Sequence, residues 1–539
     1  MIEKLLENWL DSASERSYQP VFVQMLVADG YRVLHSSRHC LLEYGKDILA
    51  IAPDGVGCAF QLKGDPKGRM KVDEFRKSIQ PQLVQLLAQR PSYPGFPREP
   101  HRAYPVSNGQ FEEEVQIAAR EMDGYLAKLE LWSRGHLLDA CLRHAKTLWP
   151  GELTDSRTLL ELYLASPSEM LRIDLLESLL NAMLNLDAEA ALFNPMELRR
   201  AIASAAWLTG IVLSRFEQSE NHYAIIQGWT LCYCYLLAAE SKHSPNNTSQ
   251  LATTLELIEG QLLDALIDLW QEIRVRKHFV EGTPMPDPEV AGWRAGILLG
   301  VMSSLAIANQ VSTVLDDNSA TELSQFLSSP PVKPELWGEA AVANLVPWLL
   351  WRRKKDPTLQ PDFEVALLAD AVITRNQRNS ATALPNPYYT FEQLARHRLL
   401  GHRNTELSPW EREDFAGSAY TAIPLMHLLV RTKQKQRCRA LWPTFSKLSH
   451  LRLAFDHPWH YFLLKASTGV AETFIYPITC KWDELRNEAL SDTVESDSIP
   501  SKLSDKPWLL ALWWQVAPQR FTAPAVRTFI AKLLPGWGS

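Results

Sequence analysis

The sequence contains 539 residues, of which 46% are hydrophobic and 22% charged, and its formal net charge at pH 7 is −7. These values are typical of a folded protein with two or three domains, and they exclude disordered and fibrous proteins. An acidic chain is not a general polyanion binder. A nucleic-acid site would therefore have to be a local basic surface.

The cysteines and the apolar stretches limit the class of protein further. Seven cysteines are scattered along the chain without a CxxC pair, which argues against a disulfide framework and a zinc ribbon. Cys232 and Cys234 lie in an apolar run and are predicted to be buried packing residues. The longest apolar stretch, Gly296 to Ala308, is shorter than the roughly 20 residues that cross a bilayer, and the first residues lack a signal-peptide pattern. We expect a soluble, cytoplasmic protein without a membrane partner.

The first 150 residues alternate between helix-like and strand-like patterns. The predicted elements, in chain order, are helices Ile2 to Leu10 and Gln19 to Ala28, strands Tyr31 to Leu34, Gly45 to Ala52 and Val56 to Lys63, helix Val72 to Gln89, strand His101 to Ser107, helix Phe111 to Lys128, strand Leu129 to Trp132 and helix Gly135 to His144. This order predicts a compact α/β domain.

From Leu153 onward the apolar residues recur almost everywhere at helical spacing. We therefore predict a large all-α region of stacked helices after the α/β domain. The predicted domains are residues 1–150, residues 151–330 and residues 331–539, the last continuous with the second.

The turn Pro53-Asp54-Gly55 joins two apolar runs and predicts a β-hairpin in which Gly55 takes a positive φ. In that register Asp47 would lie opposite Gln61, and directly opposed residues share one side of the sheet. Lys63, two residues further on, would share that side. The spacing therefore brings a carboxylate, an amide oxygen and an ammonium group to one end of two paired strands.

This combination suits the hydrolysis of a phosphodiester. Mg²⁺ prefers hard oxygen ligands, which Asp47, Gln61 and the backbone carbonyl of Leu62 could supply, with Mn²⁺ as a substitute. Lys63 would orient a water molecule and offset charge that develops on the phosphate. Taken singly, Asp47 is better explained as a capping or ion-paired residue and Lys63 as a solvated strand end. The joint pattern, with the hairpin register and the elements that follow it, favours catalysis.

The pattern Asp47-x13-Gln61-x-Lys63, with Gly30-Tyr31 before it, resembles the PD-(D/E)xK restriction-endonuclease-like superfamily. It is most similar to the Mrr-type branch, which has Q-x-K. The resemblance covers about 150 residues and implies a central mixed sheet flanked by helices, with Asp47, Gln61 and Lys63 as the catalytic set. The family often has a glutamate on the preceding helix, where this chain has Tyr18-Gln19. Glu15 or Gln19 could complete the site, or only one metal ion would be held firmly.

Basic residues follow the motif and could contact phosphates on either side of the cut. They are Lys67, Arg69, Lys71, Arg76 and Lys77. Solvated surface residues are the alternative interpretation. Two further basic clusters, Arg352 to Lys355 and Arg431 to Arg439, are predicted to be exposed helix ends, with a track for DNA or RNA as the alternative. No P-loop, HExxH or GxSxG motif occurs, so the sequence predicts no nucleotide cofactor.

Two functions remain open from the sequence. The first is a metal-dependent endonuclease, expected to act on DNA and, as the resemblance implies, to serve a prokaryotic defence system with partner proteins. The second is a non-catalytic helical scaffold whose nuclease-like head binds nucleic acid or a partner protein. Nothing in the sequence distinguishes DNA from RNA as the nucleic acid.

Overall fold

The computed structural model describes residues 2–36, 46–88, 91–122, 128–149, 153–187, 191–243, 251–276, 288–356, 361–378, 380, 382–387, 389, 416–454, 457–464, 474–478, 481–491 and 501–535. The chain divides into two compact units, residues 1–265 and residues 266–539. The domain limits at residues 150 and 330 stay predictions. The first unit has a mixed α/β head, and most of the remaining chain is helical.

Two helices open the first unit. Helix α1 spans Ile2–Leu10, as predicted, and α2 spans Glu15–Ala28. Helix α2 begins one turn earlier than expected because Ser14 is its N-cap and accepts a hydrogen bond from the Ser17 amide. It ends before Gly30, whose φ of +86° fits the turn that follows.

A mixed five-stranded sheet follows in the order β1-β2-β3-β5-β7. Its strands are β1 (Arg32–Ser36), β2 (Ile48–Ile51), β3 (Gly57–Lys63), β5 (Arg102–Ser107) and β7 (Lys128–Leu129). Strands β1, β2 and β3 pair antiparallel, whereas β5 runs parallel to β3 and β7 parallel to β5. Strands β4 (Arg69–Met70) and β6 (Gln110–Phe111) form a separate two-stranded pair.

The hairpin between β2 and β3 has the predicted register. Ile48 pairs with Phe60 and Ile51 with Gly57. The turn is closed by the Gly55 amide, which donates to the Ala52 carbonyl at 2.8 Å, and Gly55 has a φ of +86°. A local turn therefore determines how the two strands of the candidate site align.

Helices cover both faces of this sheet. On one face, Ala59 packs with Phe75 and Leu83 of the segment between β4 and β5. On the other face, the Phe60 ring contacts Phe22 of α2 edge-on, with centroids 5.5 Å apart. Successive strand residues alternate between the two faces. Gln61 and Lys63 therefore belong to the face of Ala59.

The chain crosses from β3 to β5 through one helical segment with an irregular turn. Helix α3 (Val72–Glu74) continues into a π turn (Phe75–Ile79) and then into α4 (Gln80–Ala88). Helices α5 (Glu113–Met122) and α6 (Arg134–Leu148) follow the later strands. The predicted helix–strand order of the head is confirmed over the described residues.

The rest of the first unit is helical. It contains α7 (Leu153–Leu164), α8 (Ile173–Met183), α9 (Pro195–Gln218), α10 (His222–His243) and α11 (Ala252–Val275), which contains the boundary between the units. Gly210 of α9 lies against α2, since a Cβ there would come within 2.9 Å of Val21 Cγ2. The Glu217 carboxylate accepts hydrogen bonds from Ser14 and Ser17. Cys232 and Cys234 are buried in α10, as predicted.

The second unit is mostly helical, in line with the predicted helical region, and it also contains a small sheet that the sequence did not predict. Its helices are Pro288–Ser312, Asp317–Ser328, Ala340–Lys355, Pro361–Arg375, Ala422–Arg431, Lys435–Phe445, Trp482–Leu490, Ser501–Ser504, Pro507–Val516 and Ala523–Leu533. A small sheet joins β8 (Ser418–Ala419), β9 (Ser449–Ala454) and β10 (Phe474–Ile478) in the order β10-β9-β8. Strands β9 and β10 pair antiparallel, and the sequence between them contains no short hairpin turn that would predict this pairing.

One helix among the described residues, Val290–Ser312, has the length and apolar composition of a membrane span. It contains the apolar stretch noted in the sequence, and 78% of its most apolar window is buried within the protein. A core helix has this pattern of burial. The cytoplasmic location stays a prediction.

Candidate active site

Asp47 lies just before β2 and is held against β3. Its amide donates to the Phe60 carbonyl at 2.9 Å, and its carboxylate Oδ2 accepts from the Leu62 amide at 2.6 Å. The strand ladder begins at Ile48, so Asp47 itself lies outside it. The side chain replaces a backbone acceptor for Leu62, so this hydrogen bond holds the carboxylate against β3 at the residue that follows Gln61.

Gln61 is 2% exposed and lies between the sheet and α4. Its Nε2 donates to Oε1 of Gln82 at 2.5 Å. Its Oε1 is buried and has no hydrogen-bond partner within the part of the chain that the structure describes. A buried amide oxygen that lacks a hydrogen-bond donor lowers the stability of the fold by about 1–3 kcal/mol. A cation that binds this oxygen would therefore stabilise the site.

Lys63 is the last residue of β3, and its backbone is fixed by a buried tyrosine. The Lys63 amide donates to the Tyr18 hydroxyl at 3.0 Å, and that hydroxyl lies 3.1 Å from the Lys63 carbonyl and 3.3 Å from the Val106 carbonyl. The hydroxyl has one hydrogen, so it can donate to only one of the two carbonyls at a time. Tyr18 thereby links α2 to the ends of β3 and β5.

The two possible additional residues of α2 lie in different places. Glu15 accepts a hydrogen bond from the Gly64 amide at 3.1 Å, immediately after Lys63. Gln19 donates to Ser36 at 3.0 Å, and Ser36 pairs with Ile48. Burial raises the pKa of the Tyr18 hydroxyl, and the charges of Glu15 and Asp47 raise it further. Glu15 and Asp47 therefore lie near enough to Tyr18 for their negative charges to act on its hydroxyl.

Lys67, Arg69 and Lys71 are all exposed on the segment that leaves the site. Asn108 anchors the start of this segment, because its Oδ1 accepts from the Asp65 amide at 2.9 Å. Its Nδ2 donates to the carbonyls of Leu10 and Ala13. Asp73 and Glu74 follow in the next turn, so the exposed surface carries both signs of charge.

The oxygen atoms at this strand end fit the ligand preference of Mg²⁺. Asp47 supplies a carboxylate and Gln61 a buried amide oxygen that lacks a donor. Mg²⁺ typically binds through one or two carboxylates together with substrate phosphates and keeps several waters, so Asp47 and Gln61 would share it with a bound phosphate. No group of three or more His, Cys, Asp or Glu suited to a metal ion occurs among the described residues. The backbone carbonyl of Leu62 stays a predicted ligand.

Sequence reasoning overlooked three residues that support this site: Tyr18 as an anchor, Gln82 and Asn108. Each hydrogen bond joins segments that are distant in the sequence. Tyr18 lies 45 residues from Lys63, Gln82 lies 21 residues from Gln61, and Asn108 lies 43 residues from Asp65. Asn108 directly follows the predicted strand His101 to Ser107, which is the sequence signal that could have drawn attention to it. The sequence identified the end of the hairpin but not the groups that hold it.

Comparison with known proteins adds no relative to this picture. The chain matches no family model, no curated protein and no solved structure.

Proposed function

We propose that this protein is a metal-dependent endonuclease with a restriction-endonuclease-like head, acting on DNA as part of a prokaryotic defence system. The observation that carries the proposal is that Gln61 Oε1 is buried without a donor among the described residues, while the Asp47 carboxylate is hydrogen-bonded to the next residue of β3, Leu62, and Lys63 follows directly. The antiparallel hairpin followed by parallel strands also agrees with the mixed sheet that the resemblance implies.

The chain's own residues divide the work of phosphodiester hydrolysis. When bound, Mg²⁺ supplies Lewis-acid polarisation of the scissile phosphate and of an attacking water. Asp47 and Gln61 hold the cation, and the Lys63 ammonium stabilises negative charge on the phosphate oxygens. Tyr18 fixes the backbone of Lys63 so that its side chain starts from a constant position.

The exposed residues Lys67, Arg69 and Lys71 would contact the phosphate backbone on the segment that leaves the site. Such contacts fix the position of the nucleic acid without reading its sequence. The helical remainder of the chain would dock partner proteins or sense the trigger for cleavage.

One observation favours the alternative of a non-catalytic head. Gln61 is a neutral ligand in a position where a carboxylate would bind Mg²⁺ more strongly. A scaffold that binds nucleic acid or a partner through this head would keep the fold and lose the reaction.

The test is incubation of the intact protein with supercoiled plasmid in Mg²⁺, Mn²⁺ or EDTA. The proposal predicts metal-dependent nicking that falls at least about 100-fold in Lys63→Ala, in line with the loss of one transition-state contact. Lys355→Ala, which alters an exposed lysine of the second unit, is the matched control and should cleave normally. Plasmid binding without cleavage in any metal would favour the scaffold, and cleavage that survives Lys63→Ala would exclude this site.

A further inference from the structure

The orientation of the Gln61 amide decides whether the proposed cation site can work. A glutamine side chain ends in one oxygen acceptor and one NH₂ donor, and a half-turn about the last bond exchanges them. With the NH₂ group turned inward the site would repel a cation. A partner that accepts from the NH₂ end would therefore favour the productive orientation.

Gln82 is such a partner. Its Oε1 accepts the hydrogen bond from Gln61 Nε2, which leaves Gln61 Oε1 buried and without a donor from the described part of the chain. Gln82 is only partly buried, so water can satisfy its own NH₂ group. The reverse arrangement would bury a Gln61 N–H without an acceptor and would also turn that N–H toward the cation.

The surrounding helix holds Gln82 in place. Gln82 lies at the start of α4, directly after the π turn Phe75–Ile79. Phe75, Ile79 and Leu83 are buried in the core against the sheet. A π turn changes the rotation of the residues that follow it, and such turns occur often at functional sites. The packed flanks leave the Gln82 side chain little freedom to move away from Gln61.

We infer that Gln82 is a positioning residue that orients the Gln61 amide oxygen toward a divalent cation. This inference rests on the proposed function, since it assigns a role within the same site. Partners that orient metal ligands in this way typically change metal affinity by about 10- to 100-fold when they are removed.

The test measures Mn²⁺ affinity of the intact protein from the electron paramagnetic resonance signal of free Mn²⁺. Gln82→Leu removes the acceptor and should raise the Kd for Mn²⁺ by about 10-fold or more. Gln82→Glu keeps an acceptor oxygen and should restore the Kd to within about threefold of wild type, because it can still accept from Gln61 Nε2. Gln85→Leu, on the exposed side of the same helix, is the matched control.

The outcomes separate this inference from the proposed function. If Gln61→Ala weakens Mn²⁺ binding and Gln82→Leu does not, the site stands and the role of Gln82 is wrong. Equal weakening by Gln82→Leu and Gln82→Glu, with unchanged thermal unfolding, would mean that packing and not an oriented hydrogen bond is lost, which also overturns the role. A wild-type protein that binds no Mn²⁺ overturns both.

Discussion

Asp47 in the first unit is a partly buried carboxylate and Glu339 in the second a buried one, and they have different neighbours. Glu339 is 2% exposed and accepts hydrogen bonds from the Thr421 amide and hydroxyl, the Tyr420 amide and the Asn376 side chain. Asp47 accepts from the amide of Leu62, the residue that follows Gln61, whose side-chain oxygen has no donor among the described residues.

The difference teaches that burial alone does not identify a functional carboxylate. Four donors of the protein surround the Glu339 carboxylate and supply its hydrogen bonds, and the residue thereby joins three segments of the second unit. Near Asp47 an oxygen lone pair is left without a donor, which is the environment that a cation completes. The kind of neighbouring atom, donor or acceptor, separates the structural residue from the candidate ligand.

The largest effect is expected from removal of the Glu339 carboxylate. Glu339→Ala leaves two backbone amides, a hydroxyl and an amide group buried without their acceptor, and each such loss costs about 1–3 kcal/mol. We expect the free energy of unfolding of the second unit to fall by about 3–5 kcal/mol, measured by urea unfolding. Glu335→Ala, which changes an exposed residue four positions earlier, is the control. A loss below about 1 kcal/mol would mean that Glu339 is not the structural partner in this comparison.

The pH dependence of stability sharpens the same comparison. Burial raises the pKa of Glu339 to about 7 from its ordinary value of 4.5, against the hydrogen bonds from Thr421, Tyr420 and Asn376, which lower it. Between these two pH values the folded protein holds the proton more tightly than the unfolded chain. The stabilisation is therefore fully present below about pH 4.5 and is lost as the pH rises through about 7.

The difference between the two pKa values corresponds to a change of at most roughly 3 kcal/mol in the free energy of unfolding. Relative to Glu339→Gln, which cannot ionise, the wild-type protein should lose stability as the pH rises from 5 to 8 in a thermal unfolding series. Parallel curves for the two proteins would show that this carboxyl does not titrate in that range.

The smallest effect is expected at the candidate site. Tyr18→Phe removes the hydroxyl that accepts from the Lys63 amide and leaves that donor without its partner. We expect the free energy of unfolding of the first unit to fall by about 1–2 kcal/mol. Cleavage should also decrease, but by less than in Lys63→Ala. Tyr93→Phe, at a tyrosine that is 38% exposed, is the control. An unchanged stability would show that the hydroxyl does not anchor β3.

The sequence predicted the hairpin because the information for it is local. Pro53-Asp54-Gly55 determines the turn, and the turn sets the pairing of Ile48 with Phe60. The sequence could not predict that Asp47 lies just outside the strand pairing and that its carboxylate accepts from the Leu62 amide. That contact depends on where β2 begins.

The remaining features depend on contacts between distant segments. Gln82 reaches Gln61 only because the π turn and α4 pack on the sheet, and no periodic pattern marks a π turn. The sheet of the second unit was missed for a related reason. Strand β10 is a short apolar segment that periodicity alone does not distinguish from helix, β9 mixes polar and apolar residues over only six positions, and the pairing of the two is not set by a short turn.

The most direct test of the central claim is Mn²⁺ binding by the intact protein in two matched variants, Asp47→Asn and Glu339→Gln. Each replaces one carboxylate with an amide of similar size. We predict that Asp47→Asn raises the Kd for Mn²⁺ at least about 10-fold, while Glu339→Gln leaves it within about twofold. An Asp47→Asn protein that binds Mn²⁺ as tightly as wild type would contradict the assignment of Asp47 as a metal ligand.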